Sequence, residues 1–110
     1  MDETYSDDFI KSLKKFSSIK KRIRNKIDQL TQNPLMGEPS RYDLRGLYSV
    51  QVASHFIIIH VYCRICRKKG DDRILCCHDC DVIPDETMRF FDVGSHDVGL
   101  QEIDKLKANL

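Results

Sequence analysis

The stretch that decides the fold lies at residues 47–62 and reads LYSVQVASHFIIIHVY. In its first half, residues 47–53, apolar side chains alternate with small or polar ones, and this period of two predicts a half-buried β-strand. In its second half, residues 55–62, nearly every side chain is apolar, as expected for a central strand that is covered on both faces. Because the link between the two runs is so short, we expect them to pair as an antiparallel hairpin.

Helices are predicted on both sides of this hairpin. Ser6 can cap a first helix, a pair of serines interrupts the helical pattern, and a second helix is predicted at residues 19–31, where an Asn-Pro pair follows. After the hairpin we predict a strand at residues 88–93 and a short C-terminal helix at residues 101–110. This order predicts one α+β domain over residues 1–110, in which a helical hairpin packs on one face of an antiparallel sheet.

The charge is nearly balanced over the whole chain, at +1, so the total charge favours no class of partner. Residues 11–26, however, hold eight basic side chains and no acidic one. Two interpretations stay open: a surface that binds a polyanion, or the solvated faces of two helices. Residues 1–6 are acidic and no apolar stretch follows them, so we expect no signal peptide. The longest apolar run, residues 56–59, is too short to span a membrane, and we therefore expect a cytoplasmic protein with no membrane partner.

Four cysteines are spaced as two Cys-x-x-Cys pairs, Cys63 with Cys66 and Cys77 with Cys80. In a reducing cytoplasm such pairs indicate a metal site more often than disulfides. Two such turns bring four thiolates onto one tetrahedral zinc ion, and a zinc site closed by four protein ligands is structural, not catalytic. We therefore predict a zinc-stapled hairpin, inserted at about residues 63–81.

The identity of the last zinc ligands stays open at this stage. Cys76 and His78 flank the second pair, and either can replace one thiolate. We favour Cys77 with Cys80 because a gap of two residues closes the turn best. The alternative is a reduced cysteine cluster that holds no metal.

Four segments share their order and spacing with a known family: FIKSL at residues 9–13, IDQLTQNPLMG at residues 27–37, DLRGLYSV at residues 43–50 and FFDVGSHD at residues 90–97. With them the chain resembles the RelE/ParE superfamily, the toxins of type II toxin–antitoxin systems. A branch of that superfamily carries a paired-cysteine insertion ahead of an Ile-Pro-Asp turn, and residues 63–85 resemble it. The resemblance covers most of the chain, from about residue 5 to residue 97.

The resemblance implies a helical hairpin packed on a curved antiparallel sheet. In the RelE branch the toxin cuts mRNA in the ribosomal A site without a metal, and the 2′-hydroxyl of the substrate attacks the adjacent phosphate. In the ParE branch the toxin poisons DNA gyrase instead, and an antitoxin protein neutralises both kinds. The leading hypothesis is therefore a ribosome-dependent mRNA endoribonuclease, whose partners are a cognate antitoxin, the ribosome and mRNA.

On this resemblance, the candidates for a cleavage site are Arg41, Arg45 and His96. His96 is the candidate acid or base, because an imidazole titrates near neutral pH. Two alternatives stay open: His96 fixes its corner of the chain by hydrogen bonding, and Arg45 pairs with Asp43 and not with a phosphate. The candidates for RNA contacts are basic side chains of the two helices, namely Lys14, Lys15, Lys21 and Arg22.

The chain also departs from the family pattern at positions that matter for cleavage. Gln51 and Ile57 stand where the family often has arginines, and the tyrosine expected after residue 97 is absent. Because cations stabilise the charge that develops on the phosphate, their loss weakens the case for a nuclease. A second hypothesis is thus a non-catalytic binding protein with the same fold, and gyrase inhibition is a third.

His60, in the buried-looking strand, is interpreted as a core residue with satisfied hydrogen bonds.

Overall fold

The computed structural model of the chain describes residues 1–39, 47–53, 56–75, 77 and 80–95. The predicted helix at residues 101–110 lies outside the described residues. Within them, no helix is long and apolar enough to cross a membrane.

The N-terminal helices follow from local sequence signals. Helix α1, Asp7–Lys15, begins where the Ser6 hydroxyl accepts a 3.0 Å hydrogen bond from the Phe9 amide, so the predicted cap is confirmed. A single 3₁₀ turn, Ser17–Ile19, replaces the helix where the two serines interrupt the pattern. Helix α2, Lys20–Gln32, then follows, within one residue of its prediction.

These helices pack on one sheet of five strands, and the order of the strands in the sheet is β1-β5-β4-β3-β2. The strands are β1, Asp2–Tyr5; β2, Glu38–Pro39; β3, Tyr48–Ala53; β4, Phe56–Tyr62; and β5, Thr87–Ser95. Strands β2 to β5 pair antiparallel, and the register shifts once between β3 and β4 and once between β4 and β5. Because such shifts bend a strand and increase its twist, they fit the curved sheet that the resemblance implied.

Strand β1 makes the sheet mixed, because it runs parallel to β5 at the edge. The sequence analysis did not predict it. Residues 2–5 read DETY and lack the alternation that marks a strand with one buried face. Backbone bonds hold the strand instead: the Asp2 amide donates to the Glu86 carbonyl at 2.9 Å, and the Ser6 amide donates to the Phe90 carbonyl at 3.1 Å.

Two apolar clusters lie on opposite faces of the sheet. The first joins α1 and α2 to the sheet and includes Phe9, Ile23, Ile58 and Phe90. The second lies on the other face and consists of Leu47, Ile59, Val61, Cys66, Leu75 and Phe91. Since neighbouring residues of β4 enter different clusters, the prediction of a central strand covered on both faces is confirmed.

The cysteine-rich insertion is helical where the sequence predicted a hairpin. Helix α3, Cys63–Lys69, starts directly after β4, and helix α4, Asp72–Leu75, follows it. Gly70 ends α3 in a left-handed conformation with a φ of 77°, which is the usual helix stop for glycine. The basic residues at the end of α3 also interact favourably with the negative end of the helix dipole. The sequence analysis placed those same residues in the predicted hairpin.

Candidate functional site

The predicted cleavage residues Arg41, Arg45 and His96 lie outside the described residues, as do Cys76 and His78. The described part of the chain therefore does not test whether the three meet.

The positions where the family has arginines face each other across two strands. Gln51 of β3 is the direct partner of Ile57 in β4, so both side chains lie on the same face of the sheet. Ile57 packs against the second apolar cluster, and the exposed Gln51 amide donates to the Ala53 carbonyl at 3.4 Å. This patch is uncharged. A cation does lie on the same face, because Arg89 of β5 is the partner of Val61.

His60 lies buried at the centre of the sheet, with 1% of its surface exposed. Burial lowers the pKa of its imidazole to about 4, and an interaction with the Ile58 backbone opposes this shift only in part. The ring is thus neutral at pH 7. The prediction of a buried residue is confirmed, but its hydrogen bonding is incomplete, because Nδ1 has no partner at normal hydrogen-bond geometry.

A small cavity of about 230 Å³ opens beside this imidazole, between residues 34–37 and helix α3. We call it the His60 cavity; its walls include Leu35, Gly37, Tyr48, Tyr62 and Lys69. The Lys69 ammonium donates to the Tyr48 hydroxyl at 2.8 Å and lies 5.5 Å from the centre of the Tyr48 ring. The Tyr62 hydroxyl donates to the Glu86 carboxylate at 2.9 Å. A cation, two phenol rings and the His60 imidazole therefore lie around one largely apolar space.

A larger groove of about 620 Å³ runs between α1 and α2. Its apolar lining includes Phe9, Leu13, Ile23 and Ile27, and its basic lining consists of Lys20, Lys21 and Arg24. We call it the helix groove. Ile10, which also lines it, leaves 44% of its surface exposed, a large fraction for an isoleucine. An apolar groove with a cationic border is typical of a surface that receives an acidic amphipathic segment.

The four side chains predicted to contact RNA are all exposed. Lys14 and Lys15 lie in the last turn of α1, and Lys21 and Arg22 lie in the first turn of α2. Of the four, only Lys21 is also among the residues that line the helix groove.

Of the four predicted zinc ligands, Cys63 and Cys66 are buried in α3, and Cys77 and Cys80 are half-buried. Burial raises the pKa of Cys63 to about 11, and nearby Arg89 and Arg67 reduce this rise. Zinc binds thiolate, so a buried thiol with a raised pKa has to lose its proton on binding. Across residues 1–39, 47–53, 56–75, 77 and 80–95, no group of three or more His, Cys, Asp or Glu side chains is arranged to hold a metal. The structure thus gives the zinc site no support, and zinc stays a prediction.

Arg67 holds the described part of the insertion together by hydrogen bonds. Its guanidinium donates to the carbonyls of Cys80 and Ile83, the latter at 2.5 Å, and pairs with the Asp85 carboxylate. The bond to the Asp85 carboxylate, followed by a bond to the Cys80 thiol, raises the pKa of Arg67. The sequence analysis missed this role, because nothing in the spacing of Arg67 predicts three acceptors 13 to 18 residues further along the chain.

The α+β fold, with its helical hairpin and curved sheet, is the fold that the resemblance to type II toxins implied. Residues 4–76 match the family model described as "ParE toxin of type II toxin-antitoxin system, parDE". The chain therefore belongs to this family, within the RelE/ParE superfamily, and a cognate antitoxin is its partner. The predicted family and fold class are thus confirmed. A comparison with curated protein sequences gives no match.

Solved structures show the same fold. YafQ from E. coli strain BL21(DE3) is 17% identical with a TM-score of 0.60, over 88% of this chain and 94% of that chain. The toxin–antitoxin complex RelBE2 from Mycobacterium tuberculosis contains a chain that is 16% identical with a TM-score of 0.59, over 86% of this chain and 90% of that chain. At such low identity the likeness concerns the fold alone.

Proposed function

We propose that this toxin inhibits translation by cutting mRNA on the ribosome, in the cytoplasm. The observation that carries the proposal is the exposed basic surface of α1 and α2. Residues 11–26 hold eight cations and no acid, and the four cations named for RNA contact are all exposed. Since phosphate contacts supply most of the affinity for a nucleic acid, such a surface favours a polyanionic target.

The cleavage chemistry requires groups that the basic helices do not supply. A 2′-hydroxyl that attacks the neighbouring phosphate has to lose a proton, and the pentavalent intermediate needs nearby cations. We assign proton transfer to His96 and charge stabilisation to Arg41 and Arg45, all on the strength of the resemblance. Arg89, on the same sheet face as Gln51 and Ile57, adds a further cation.

A second candidate function is inhibition of DNA gyrase without cleavage of RNA. The uncharged pair formed by Gln51 and Ile57 favours it, since two arginines of the nuclease pattern are replaced there. The match to the ParE family model favours it as well. In this case the basic helices serve binding only.

Expression of the toxin without its antitoxin separates the two functions. The nuclease predicts growth arrest, with new mRNA 5′ ends at the ribosomal A site and intact DNA. Gyrase inhibition predicts DNA damage and trapped gyrase complexes with intact mRNA. Normal growth, with undamaged mRNA and DNA, would contradict both and leave a binding protein that has lost its toxicity.

We also propose that the antitoxin places an acidic amphipathic helix in the helix groove. The apolar lining of the groove would receive the apolar face of that helix, and Lys20, Lys21 and Arg24 would meet its acids. Because Lys21 is also a candidate RNA contact, an antitoxin bound there would compete with RNA. Neutralisation then follows from occupation of a shared surface.

A further inference from the structure

We propose that residues 101–110 dock as a short amphipathic helix in the helix groove of their own chain, where they compete with the antitoxin. This inference concerns the regulation of that groove, and only the competition rests on the proposed docking of the antitoxin there. Residues 96–110 lie outside the described part of the structure, so they enter this inference through their sequence alone. The residues that line the groove are described.

The apolar pattern of residues 101–110 is that of a helix that needs a surface to pack on. Ile103, Leu106 and Leu110 follow the i, i+3, i+7 spacing of one helix face. This spacing is typical of a helix that docks in an apolar groove. Because so short a helix is only marginally stable by itself in water, its formation requires tertiary packing.

The helix groove offers such a surface at a matching length. Tyr5, just before α1, and Ser17, just after it, line its two ends. The groove therefore extends along the nine residues of α1, and the ten residues of the docking segment span about 15 Å as a helix. A docked helix would also cover Ile10, which is largely exposed on the α1 wall.

Strand β5 ends close to one end of the groove. Its last residue, Ser95, is the cross-strand partner of Phe56, and the Phe56 ring packs on the Phe16 ring at 5.0 Å between centroids. Phe16 directly precedes the residue that lines this end, which we call the entry end. Residues 96–100 span up to about 18 Å when extended, at about 3.6 Å each, so residue 101 can reach the entry end.

The two ends of the groove differ in charge. A pair of lysines at residues 20–21 lies near the entry end, because only a short 3₁₀ turn separates it from Ser17. At the other end, Glu3 accepts a hydrogen bond from the Tyr5 hydroxyl. The pKa of this phenol is raised by burial first and then by Glu3 and Asp28, against the opposing charge of Arg24. The entry end is thus cationic, and the far end combines two acids with one cation.

Residues 101–110 carry their charges in the complementary order. The acids Glu102 and Asp104 come first and would meet the lysine pair at the entry end, whereas Lys105 and Lys107 come later and would meet the acids at the far end. Complementary charges at both ends favour this one direction of docking. An antitoxin helix then has to displace residues 101–110, which raises its apparent Kd.

NMR spectroscopy of the full chain tests the docking directly. We expect NOE contacts from the methyl groups of Leu106 to those of Leu13 and Ile23, and amide exchange at residues 103–107 slowed by about tenfold or more. Leu106→Asp should abolish the contacts and the slow exchange. Ala108→Asp is the matched control, because at about 100° per residue Ala108 lies on the opposite side of the helix, and this variant should keep both.

A charge swap tests the direction of docking. Glu102→Lys should speed amide exchange at residues 103–107, and adding Lys20→Glu and Lys21→Glu should slow it again. Absence of the NOE contacts in the native chain would overturn the proposal. Contacts that arise only between labelled and unlabelled chains, as for a second copy in the groove, would overturn it as well. So would equal effects of Leu106→Asp and Ala108→Asp.

The affinity for the antitoxin tests the competition separately. If roughly nine chains in ten are docked, Leu106→Asp should lower the Kd of the antitoxin about tenfold, and Ala108→Asp should leave it unchanged. Intrachain contacts with an unchanged Kd would overturn the competition and remove the antitoxin from the groove. Absent contacts, with antitoxin binding that still depends on the groove lysines, would overturn the docking of residues 101–110 and leave the proposed antitoxin site standing.

Discussion

Gly37 lies directly against the imidazole of His60. A Cβ atom added at Gly37 would come within 2.5 Å of His60 Nε2 and within 2.6 Å of Cε1. Real Cβ contacts are not that short, so any side chain at residue 37 has to displace the ring or the loop. The glycine therefore lets residues 34–37 approach the centre of the sheet and form one wall of the His60 cavity.

Gly37→Ala should lower the free energy of unfolding by about 1–3 kcal/mol, the usual cost of overpacking a buried site. Urea denaturation measures this change. Gly94→Ala is the matched control, because a Cβ at Gly94 meets nothing within 4 Å, and its effect should stay below about 0.5 kcal/mol. Equal effects of the two substitutions would contradict the close approach of Gly37 to His60.

Acid should destabilise the fold through His60. Its pKa falls from about 6.5 in the unfolded chain to about 4 in the folded chain, so the unfolded state binds more protons between these values. The contribution of His60 to the free energy of unfolding is therefore fully present above pH 6.5 and is lost as the pH falls towards 4. The loss is about 1.4 kcal/mol per pH unit, or about 3 kcal/mol in all.

Urea denaturation of the native chain and of His60→Gln, at several pH values, isolates this contribution. The difference between the two stability curves should change across the window from pH 6.5 to pH 4 and stay constant above it. Parallel curves over that window would show that His60 titrates normally.

Arg67→Met should loosen the described part of the insertion. It removes the donor to two backbone carbonyls and to the Asp85 carboxylate, and we expect a loss of about 2–3 kcal/mol. Asp85→Ala removes only the carboxylate, which is 58% exposed, and should cost less than about 1 kcal/mol. Hydrogen exchange at residues 80–85 and urea denaturation distinguish the two. A larger effect of Asp85→Ala would mean that the ion pair, and not the carbonyl contacts, holds the segment.

Zinc binding remains a prediction from the cysteine spacing, and metal analysis of freshly reduced protein checks it. We expect about one zinc ion per chain, with four thiolate ligands. Cys63→Ser should lose the metal, whereas Cys76→Ser should retain it if Cys77 and Cys80 form the second pair. Metal-free protein with an unchanged melting temperature would end this hypothesis. Arg67 would then remain as an observed support of the insertion.

The affinity of the antitoxin for the toxin should depend on the positive charge at the border of the helix groove. Lys20→Glu combined with Arg24→Glu reverses two cations of the groove and should weaken antitoxin binding by tenfold or more, mainly at low salt. Arg22→Glu is the control, since Arg22 lies on the same helix but does not line the groove. Equal loss in both variants would indicate attraction by the net charge of the helices, and not docking in the groove.

Much of the fold could be predicted because its signals are local. The Ser6 cap, the serine break before α2 and the alternation in β3 each act within a few residues. Strand β1 was missed because its evidence lies in backbone bonds to residues more than 80 positions away. Helix α3 was missed because a polar, basic run suits either a turn or a helix end, and Gly70 suits both.

The candidate sites were harder to predict for the same reason. The family resemblance directed attention to loop residues, whereas the His60 cavity depends on the meeting of Gly37, Tyr48, His60 and Lys69 from four separate elements. The burial of His60 was predictable from its apolar strand. Its unpaired nitrogen was not, because the hydrogen-bond partners of a buried ring depend on neighbours that are remote in sequence.

The position of β5 affects the order in which the chain can fold during its synthesis. This strand lies between β1 and β4, so the N-terminal strand has no neighbour in the sheet until residues 87–95 have been made. Phe90 and Val93 of the same strand also complete the first apolar cluster. Consequently the five-stranded sheet cannot be completed while only the first 80 or so residues have emerged from the ribosome.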